Sequence, residues 1–299
     1  MLDPSQTQDL SALLPGESTE RGATRRTALK AAIGVGYAAA AVPLMAQTAI
    51  KTPSAGLTAG EVMIDVQGFS MPAYRAAPEG KTGLPVVLVL SEIFGVHEYI
   101  ADTARRFARA GYLAIAPELF VRQGDAQGYG EMAKLIAEVI SKVPDAQVMA
   151  DLDATVQWAA ANGGDVNKLG VTGFCWGGRQ TWLYVAHNPK VKAGVAWYGR
   201  LEGERNPLTP RHPIDVVGQL HAPVLGLYGG ADTGIPLDSV ERHKAALAAG
   251  SAGARASRFV VYPEAPHAFH ADYRPSFRQQ PAEDGWQQAL AWFRQHGVA

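Results

Sequence analysis

Cysteine is nearly absent from this chain, since Cys175 is the only one among 299 residues. A single cysteine excludes an internal disulfide framework and any zinc or iron–sulfur site built from several cysteines, so only an intermolecular disulfide remains possible. The formal net charge is also close to zero, at -1. This gives no electrostatic argument for binding nucleic acid or an anionic membrane surface, and we expect neither partner.

The N-terminal region lacks the run of ~20 apolar residues that a membrane span requires. Residues 1–23 are polar and aperiodic, which predicts disorder. Arg25-Arg26 then precedes the apolar residues 31–45, and Ala46-Gln47 is the expected cleavage point of an export signal. The adjacent arginines are typical of a twin-arginine signal and favour a periplasmic protein. The alternative is an N-terminal helix on a cytoplasmic enzyme.

The segment around the single cysteine has the pattern of a nucleophile elbow. An apolar run, residues 168–172, precedes it, a helical pattern follows it, and Gly173 and Gly177 flank Cys175. This is G-x-S-x-G with sulfur in place of oxygen. At such a sharp strand-to-helix turn the flanking positions pass so close together that a Cβ would clash. The alternative is that Cys175 is simply a small buried apolar residue.

Strand and helix patterns alternate along the rest of the chain. Predicted strands cover residues 62–66, 69–76, 86–90, 112–117, 169–172, 193–198, 224–228 and 259–262. Predicted helices cover residues 102–110, 151–161, 179–187, 237–249 and 283–296, with a polar loop leading into a helix at 121–150 and a surface excursion at 199–220. The alternation predicts an α/β fold, with a mostly parallel sheet covered by helices on both faces. We expect one domain over residues 55–299, preceded by the disordered and export region at 1–50.

Four residues whose side chains could take part in catalysis each follow directly after a predicted strand: Glu92, Cys175, Asp232 and His267. Active sites of parallel sheets lie beyond the carboxyl ends of the strands, so these side chains are expected to meet at one edge. The order nucleophile, acid, histidine is that of the α/β-hydrolase triad. His267 would take the thiol proton and Asp232 would fix its tautomer. The rival base is His270.

Other histidines are poorer candidates because they fall in predicted helices or in the surface excursion: His187, His212, His221 and His243. The oxyanion hole is expected to use the backbone N–H groups of Trp176 and Ile93. Glu92 is unexpected here, because a carboxylate near a thiolate raises the thiol pKa unless the carboxylate is paired or protonated. The alternative is a surface glutamate.

These motifs together resemble the dienelactone hydrolase (carboxymethylenebutenolidase) family. The segments that carry the resemblance are residues 91–96 (SEIFGV), 173–178 (GFCWGG), 229–232 (GGAD) and 266–269 (PHAF), and the match runs from about residue 62 to the C-terminus. The resemblance implies an α/β-hydrolase fold, a cysteine–histidine–aspartate triad, an acyl-enzyme mechanism, and no metal or other cofactor. It also implies that Glu92 contacts the resting thiol and assists its deprotonation.

The chain departs from the family pattern where the substrate is held. The arginine that grips a substrate carboxylate in the best-known members corresponds to Ala271, with Arg274 nearby but not aligned. Arg122 is the candidate for the family's other anchoring arginine. His97, Trp176, Trp197, Tyr198 and Phe269 are expected to give a more aromatic substrate pocket.

The sequence therefore predicts a monomeric hydrolase that cleaves a lactone or another carboxylic ester through a thioester on Cys175. A thioesterase or peptidase of the same fold is the first alternative. The second is a non-catalytic, exported ligand-binding protein.

Overall fold

Eight strands form one sheet in the structure, a computed structural model that describes residues 49–299. They are β1 (Leu57–Val66), β2 (Phe69–Pro78), β3 (Leu84–Leu90), β4 (Leu113–Pro117), β5 (Gly164–Phe174), β6 (Val191–Trp197), β7 (Val224–Gly229) and β8 (Arg258–Tyr262). Their order across the sheet is β1-β2-β4-β3-β5-β6-β7-β8. Strand β2 is antiparallel to both of its neighbours, and every pair from β4 to β8 is parallel. The predicted α/β architecture is confirmed.

Helices connect the strands and cover both faces of the sheet. They are α1 (Glu98–Arg109), α2 (Met132–Glu138), α3 (Asp145–Ala161), α4 (Trp176–His187), α5 (Leu237–Ala248), α6 (Ala252–Ala256) and α7 (Gln279–Gln295). Short 3-10 helices lie at Ala126–Gly128, Ile140–Lys142 and Pro213–Gln219. Within residues 49–299, no helix combines the length and the apolar content needed to cross a membrane.

Some element boundaries differ from the prediction. Helix α3 begins at Asp145, six residues earlier than expected. Pro144 stands at its N-cap and Asp145 supplies a negative charge to its first turn, where that charge favours a helix start. The predicted surface excursion also contains regular structure, because Pro213–Gln219 forms a 3-10 helix with a capping box between His212 and Asp215.

The core is built on the central strands. Val86, Val87, Leu88, Val89 and Leu90 are all fully buried, so β3 is covered on both faces as its continuous apolar run predicted. Each such side chain contributes roughly 1.5–3 kcal/mol relative to its exposed state. This rigid centre fixes the point at which the loop after β3 begins.

The segment before β1 is fastened to helix α1. The Thr52 backbone N–H donates to Asp102 at 2.5 Å, Arg105 donates to the Thr52 carbonyl at 3.0 Å, and Arg109 donates to the Pro53 carbonyl at 2.9 Å. The predicted disordered stretch at 1–23 and the predicted export signal lie outside the described residues.

Candidate active site

A strained turn places Cys175 between β5 and α4. Its backbone has φ 54° and ψ -111°, a positive φ that non-glycine residues rarely adopt. A Cβ at Gly173 would overlap the Gly177 carbonyl oxygen, and one at Gly177 would overlap the carbonyl oxygen of Leu90. The Cys175 N–H donates to the Trp197 carbonyl at 3.0 Å, which ties the turn to the neighbouring strand β6. The glycine spacing in the sequence thus reflects real close approaches of the backbone.

Asp232 and His267 form a pair beside the thiol, with the Asp232 side chain fully buried and the His267 side chain 25% exposed. His267 Nδ1 lies 2.7 Å from Asp232 Oδ2, and Asp232 Oδ1 accepts from the N–H groups of Gly234 (2.9 Å) and Ile235 (3.1 Å). The other ring nitrogen of His267 is thereby left to hydrogen-bond Cys175. Burial alone would lower the pKa of His267, but Asp232 and Cys175 outweigh burial and hold that pKa well above its usual value.

The rival base, His270, is occupied elsewhere. Its Nδ1 lies 2.6 Å from the Tyr99 hydroxyl, and its ring stacks on Phe174 at 5.2 Å. Burial, with a contribution from Arg106, lowers the pKa of His270 to about 3, so the ring is neutral at physiological pH. Asp232 therefore selects His267, and His270 belongs to the packing beneath the site.

The two residues predicted to supply oxyanion-hole amides, Ile93 and Trp176, both lie next to Cys175, Ile93 in the lining of the same cavity and Trp176 as the next residue in the chain. The Gly177 N–H donates to the Ser91 carbonyl at 3.1 Å, which ties the loop after β3 to the start of α4. Ile93 follows Ser91 by two residues and lines the same cavity as Cys175. Trp176 is the first residue of α4, where amide groups lack an intrahelical acceptor. Across residues 49–299, neither amide has a backbone acceptor outside the regular elements.

Glu92 is buried, and two side chains, those of His97 and Tyr273, bind one of its carboxylate oxygens. These two residues are called the Glu92 clamp below. Glu92 Oε2 lies 3.0 Å from His97 Nε2 and accepts from the Tyr273 hydroxyl at 3.3 Å. Burial would raise the pKa of Glu92, but Arg274 and His97 outweigh it and lower that pKa to about 2, so the carboxylate is charged. Its hydrogen-bond partners are these residues rather than the Cys175 thiol. The surface-glutamate alternative is excluded, because Glu92 is only 2% exposed.

Arg274 is a buried cation that the sequence pattern alone did not place. Its guanidinium lies between the rings of Phe94 (4.9 Å) and Tyr273 (4.8 Å), and Nη2 is 3.6 Å from Glu92 Oε1. Among the described residues, its Nε and Nη2 have no hydrogen-bond partner, and neither does Glu92 Oε1. Arg274 lines the catalytic cavity together with Glu92, Ile93, Phe94, Cys175, His267 and Ala268. The only signal for it was its proximity in sequence to the triad histidine.

The predicted aromatic pocket is largely wrong. Trp197 and Phe269 are fully buried core residues, and the Trp197 indole N–H donates to Thr172 Oγ1 at 3.2 Å within the fold. Tyr198 is also fully buried, and its ring packs edge-on against that of His267 with centroids 5.1 Å apart. These side chains follow buried strands or pack against them, where an aromatic residue fills the core as readily as it lines a pocket.

Arg122, His97 and Trp176 are not among the residues that line the cavity at Cys175. Arg122 donates to Asp151 at 2.7 Å and covers the Phe69 ring at 4.2 Å, so its charge is already paired. His97 clamps Glu92 as described above. The Trp176 ring packs against Phe120 with ring centroids 4.6 Å apart.

Comparisons with known proteins identify the family of this chain. The family model of the dienelactone hydrolase family matches residues 71–297. The chain belongs to the dienelactone hydrolase family. It is 56% identical over 277 residues to a candidate carboxymethylenebutenolidase of Methylorubrum extorquens, covering 92% of this chain and 94% of the relative. A candidate carboxymethylenebutenolidase of Escherichia coli K12 is 54% identical over 263 residues, covering 88% of this chain and 96% of the relative.

A solved structure shares both sequence and fold with this dienelactone hydrolase family member. The crystal structure of a candidate dienelactone hydrolase from Klebsiella pneumoniae is 56% identical, with a TM-score of 0.78, covering 80% of this chain and 99% of that one. Membership of the family makes the chain a hydrolase of lactones or other carboxylic esters, as the sequence predicted.

Proposed function

We propose that this enzyme cleaves a lactone or another carboxylic ester through a thioester formed on Cys175. The observation that carries the proposal is the 2.7 Å contact between His267 Nδ1 and Asp232, which leaves the other ring nitrogen for the thiol. A histidine held in this way has one tautomer and one orientation available, which is what a general base next to a nucleophile requires.

In the acylation half of the reaction, His267 takes the thiol proton and Cys175 Sγ attacks the ester carbonyl carbon. The new C–S bond places negative charge on the carbonyl oxygen, which the N–H groups of Ile93 and Trp176 stabilise. Collapse of this intermediate breaks the ester C–O bond. His267 returns its proton to the departing alkoxide or enolate, and the acyl group stays on Cys175. In a lactone both fragments remain joined in one molecule.

In the deacylation half, water attacks the thioester carbonyl while His267 takes one of its protons. The C–S bond breaks, the acid is released, and the proton returns to the thiolate. The raised pKa of His267 keeps a proton available for the departing group in the first half. Asp232, fixed by two backbone N–H groups, holds the ring in place through both halves.

The test is to trap the acyl-enzyme. With p-nitrophenyl acetate, we expect a burst of p-nitrophenol and a single acetyl group on the Cys175-containing peptide in mass spectrometry. Cys175→Ala should show neither the burst nor turnover. Full turnover in Cys175→Ala, or an acetyl group on another residue during the burst, would contradict the cysteine mechanism while leaving the hydrolase assignment in place.

We also propose that residues 24–47 direct export through the twin-arginine route, since Arg25-Arg26 precedes an apolar stretch and a small-residue site. Mass spectrometry of periplasmic material should find a chain that starts near Gln47, and Arg25→Lys combined with Arg26→Lys should retain the protein in the cytoplasm. Full-length protein confined to the cytoplasm in the unsubstituted case would refute export.

A further inference from the structure

The loop between β3 and α1 is fastened to the rest of the fold at both of its ends. At its start, the Ser91 carbonyl accepts from the Gly177 N–H in the first turn of α4 at 3.1 Å. Near its end, the Val96 N–H donates to Oε1 of the Glu118 side chain at 2.8 Å. Ile93, whose N–H stabilises the oxyanion in the proposed mechanism, lies between these two anchors. The position of that N–H therefore depends on both of them.

Glu118 is held by the sheet, so its side chain starts from a rigid point. It directly follows Pro117, the last residue of β4, and its N–H donates to the Pro72 carbonyl on β2 at 2.9 Å. Strand β4 is in turn hydrogen-bonded to β3, which leads into the loop. Only 9% of Glu118 is exposed, and a hydrogen bond shielded from water in this way is stronger than an exposed one. The anchor at Val96 is thus fixed relative to the strand from which the loop departs.

The end of the loop fits closely against two side chains from the segment after β4. A Cβ at Gly95 would overlap Glu118 Oε1, and the φ of Gly95 is 70°, which residues with a side chain rarely adopt. The Val96 carbonyl accepts from Gln127 Nε2 at 3.3 Å. Both backbone polar groups of Val96 are therefore bound by side chains of that segment.

From these contacts we infer that Glu118 is a positioning residue for the reaction, which holds the Ile93 N–H in place through the loop. The inference rests on the proposed function and adds a residue to it. Glu118 does not line the cavity at Cys175, so its effect passes through the Val96 peptide. Donors that are already in place stabilise a developing charge because they need not move during the reaction. Both halves of the proposed reaction form an oxyanion, so a loop released at Val96 should slow both.

Two variants of Glu118 separate the position of the acceptor atom from the chemistry of the carboxyl group. Glu118→Gln keeps a carbonyl oxygen at the same reach, so kcat for p-nitrophenyl acetate should stay within about threefold of wild type. Glu118→Asp keeps the carboxyl group but withdraws it by one methylene. Its kcat should fall on the order of tenfold, with KM unchanged within about twofold. Equal kcat in the two variants, or a lower kcat in Glu118→Gln, would overturn the inference.

An analogue of the tetrahedral intermediate separates positioning from a purely structural role. A trifluoromethyl ketone adds reversibly to a thiolate, and the former carbonyl oxygen of the adduct becomes an oxyanion. Its inhibition constant should rise in Glu118→Asp by the same factor by which kcat/KM falls. Thr155→Val, which removes a buried 2.7 Å hydrogen bond to the Asp151 carbonyl, is the stability control and should change neither quantity. An unchanged inhibition constant in Glu118→Asp would overturn the inference.

Gln127→Ala tests the same anchor at an exposed position, where the substitution does not threaten folding. It removes the 3.3 Å hydrogen bond to the Val96 carbonyl, so kcat should fall about threefold with KM unchanged. Gln123→Ala, which removes a 2.8 Å hydrogen bond to Gln147 in the same segment, is the matched control and should leave kcat unchanged. Equal kcat in these two variants would contradict the anchoring of Val96, and this result decides the inference if the Glu118 variants do not fold.

Failure of the proposed function has a separate signature. Wild-type enzyme that hydrolyses no ester or lactone would refute the function and this inference together. Wild-type turnover with an acetyl group on Cys175, but with unchanged kcat in Glu118→Asp, would overturn this inference alone.

Discussion

Two carboxylate–histidine pairs lie side by side in this active site, and they are built differently. Asp232 is anchored by two backbone N–H groups and binds Nδ1 of His267 at 2.7 Å. Glu92 is held entirely by side chains and binds Nε2 of His97 at 3.0 Å. Backbone anchoring fixes one oxygen and presents the other, whereas the clamp on Glu92 leaves Oε1 without a hydrogen-bond partner within residues 49–299.

The difference separates a candidate catalytic pair, Asp232 and His267, from a pair that sets the charge beside the cavity, Glu92 and His97. His267 binds its carboxylate through one nitrogen and the thiol through the other, so it can move a proton. His97 does not line the cavity at Cys175, and its Nε2 binds Glu92 instead. Both pairs consist of an acid that follows a strand and a nearby histidine, so their composition alone does not distinguish them.

The largest expected effect distinguishes the two histidines by their contributions to kcat/KM. His267→Ala removes the base and should lower kcat/KM for p-nitrophenyl esters by roughly 10³–10⁴-fold. His97→Ala leaves the triad intact and should lower it by less than about tenfold. Steady-state kinetics at several pH values measure both. Equal losses in the two variants would mean that His97 belongs to the catalytic machinery.

The two acids should differ in the same direction. Asp232→Asn keeps the shape of the side chain but disrupts the hydrogen bond that sets the tautomer of His267, so kcat should fall on the order of a hundredfold or more. Glu92→Gln keeps the triad and should cost less in kcat. Circular dichroism of both variants serves as the folding control. A larger kcat loss in Glu92→Gln would show that its carboxylate takes part in proton transfer.

The pH dependence of the unfolding free energy should reveal how much the charged Glu92 side chain contributes to stability. The folded-state pKa of Glu92, about 2, lies below its usual value of 4.5, so its charge stabilises the fold above pH 4.5. That contribution is lost as pH falls from about 4.5 to about 2. Glu92→Gln should be less stable than wild type by roughly 3 kcal/mol at neutral pH, since it leaves Arg274 buried without its anion. Urea unfolding at successive pH values should show this gap narrow across the window; a constant gap would contradict it.

The smallest expected effect concerns one arm of the clamp. Tyr273→Phe removes the 3.3 Å hydrogen bond to Glu92 and keeps the ring against Arg274. A loss of about 1 kcal/mol in unfolding free energy, with kcat unchanged within about threefold, is expected. Urea unfolding and ester kinetics measure the two quantities. Tyr262→Phe, which removes an exposed hydrogen bond to Asp284, is the matched control.

Much of the fold and the placement of the candidate triad residues could be predicted because both depend on rules that act along the chain. Apolar periodicity marks the strands, parallel strands end at one edge, and Cys175, Asp232 and His267 each stand within five residues of the end of a strand. The spacing of Gly173 and Gly177 around the cysteine is a local pattern, and it predicts the strained turn correctly.

The rest depends on contacts between distant segments that no local pattern encodes. Tyr273 and Arg274 lie in an irregular loop, and only folding brings them to Glu92, which is more than 180 residues away in sequence. Trp197 pairs across strands with Phe174, next to Cys175, and Phe269 lies two residues after His267, yet both side chains are buried in the core. Sequence therefore identifies the candidate reacting groups more readily than their electrostatic surroundings.

The hydrogen bonds between helix α1 and the segment before β1 limit how far the N-terminus can be shortened for expression. Asp102 accepts from Thr52 and also binds Arg106 at 2.6 Å, and Arg106 in turn binds Asp272, next to Tyr273. An expressed protein that begins at residue 49 retains all of these contacts. We expect a protein that begins after Thr52 to have a less tightly held loop around Arg274, because it lacks the first of these contacts while keeping every candidate triad residue.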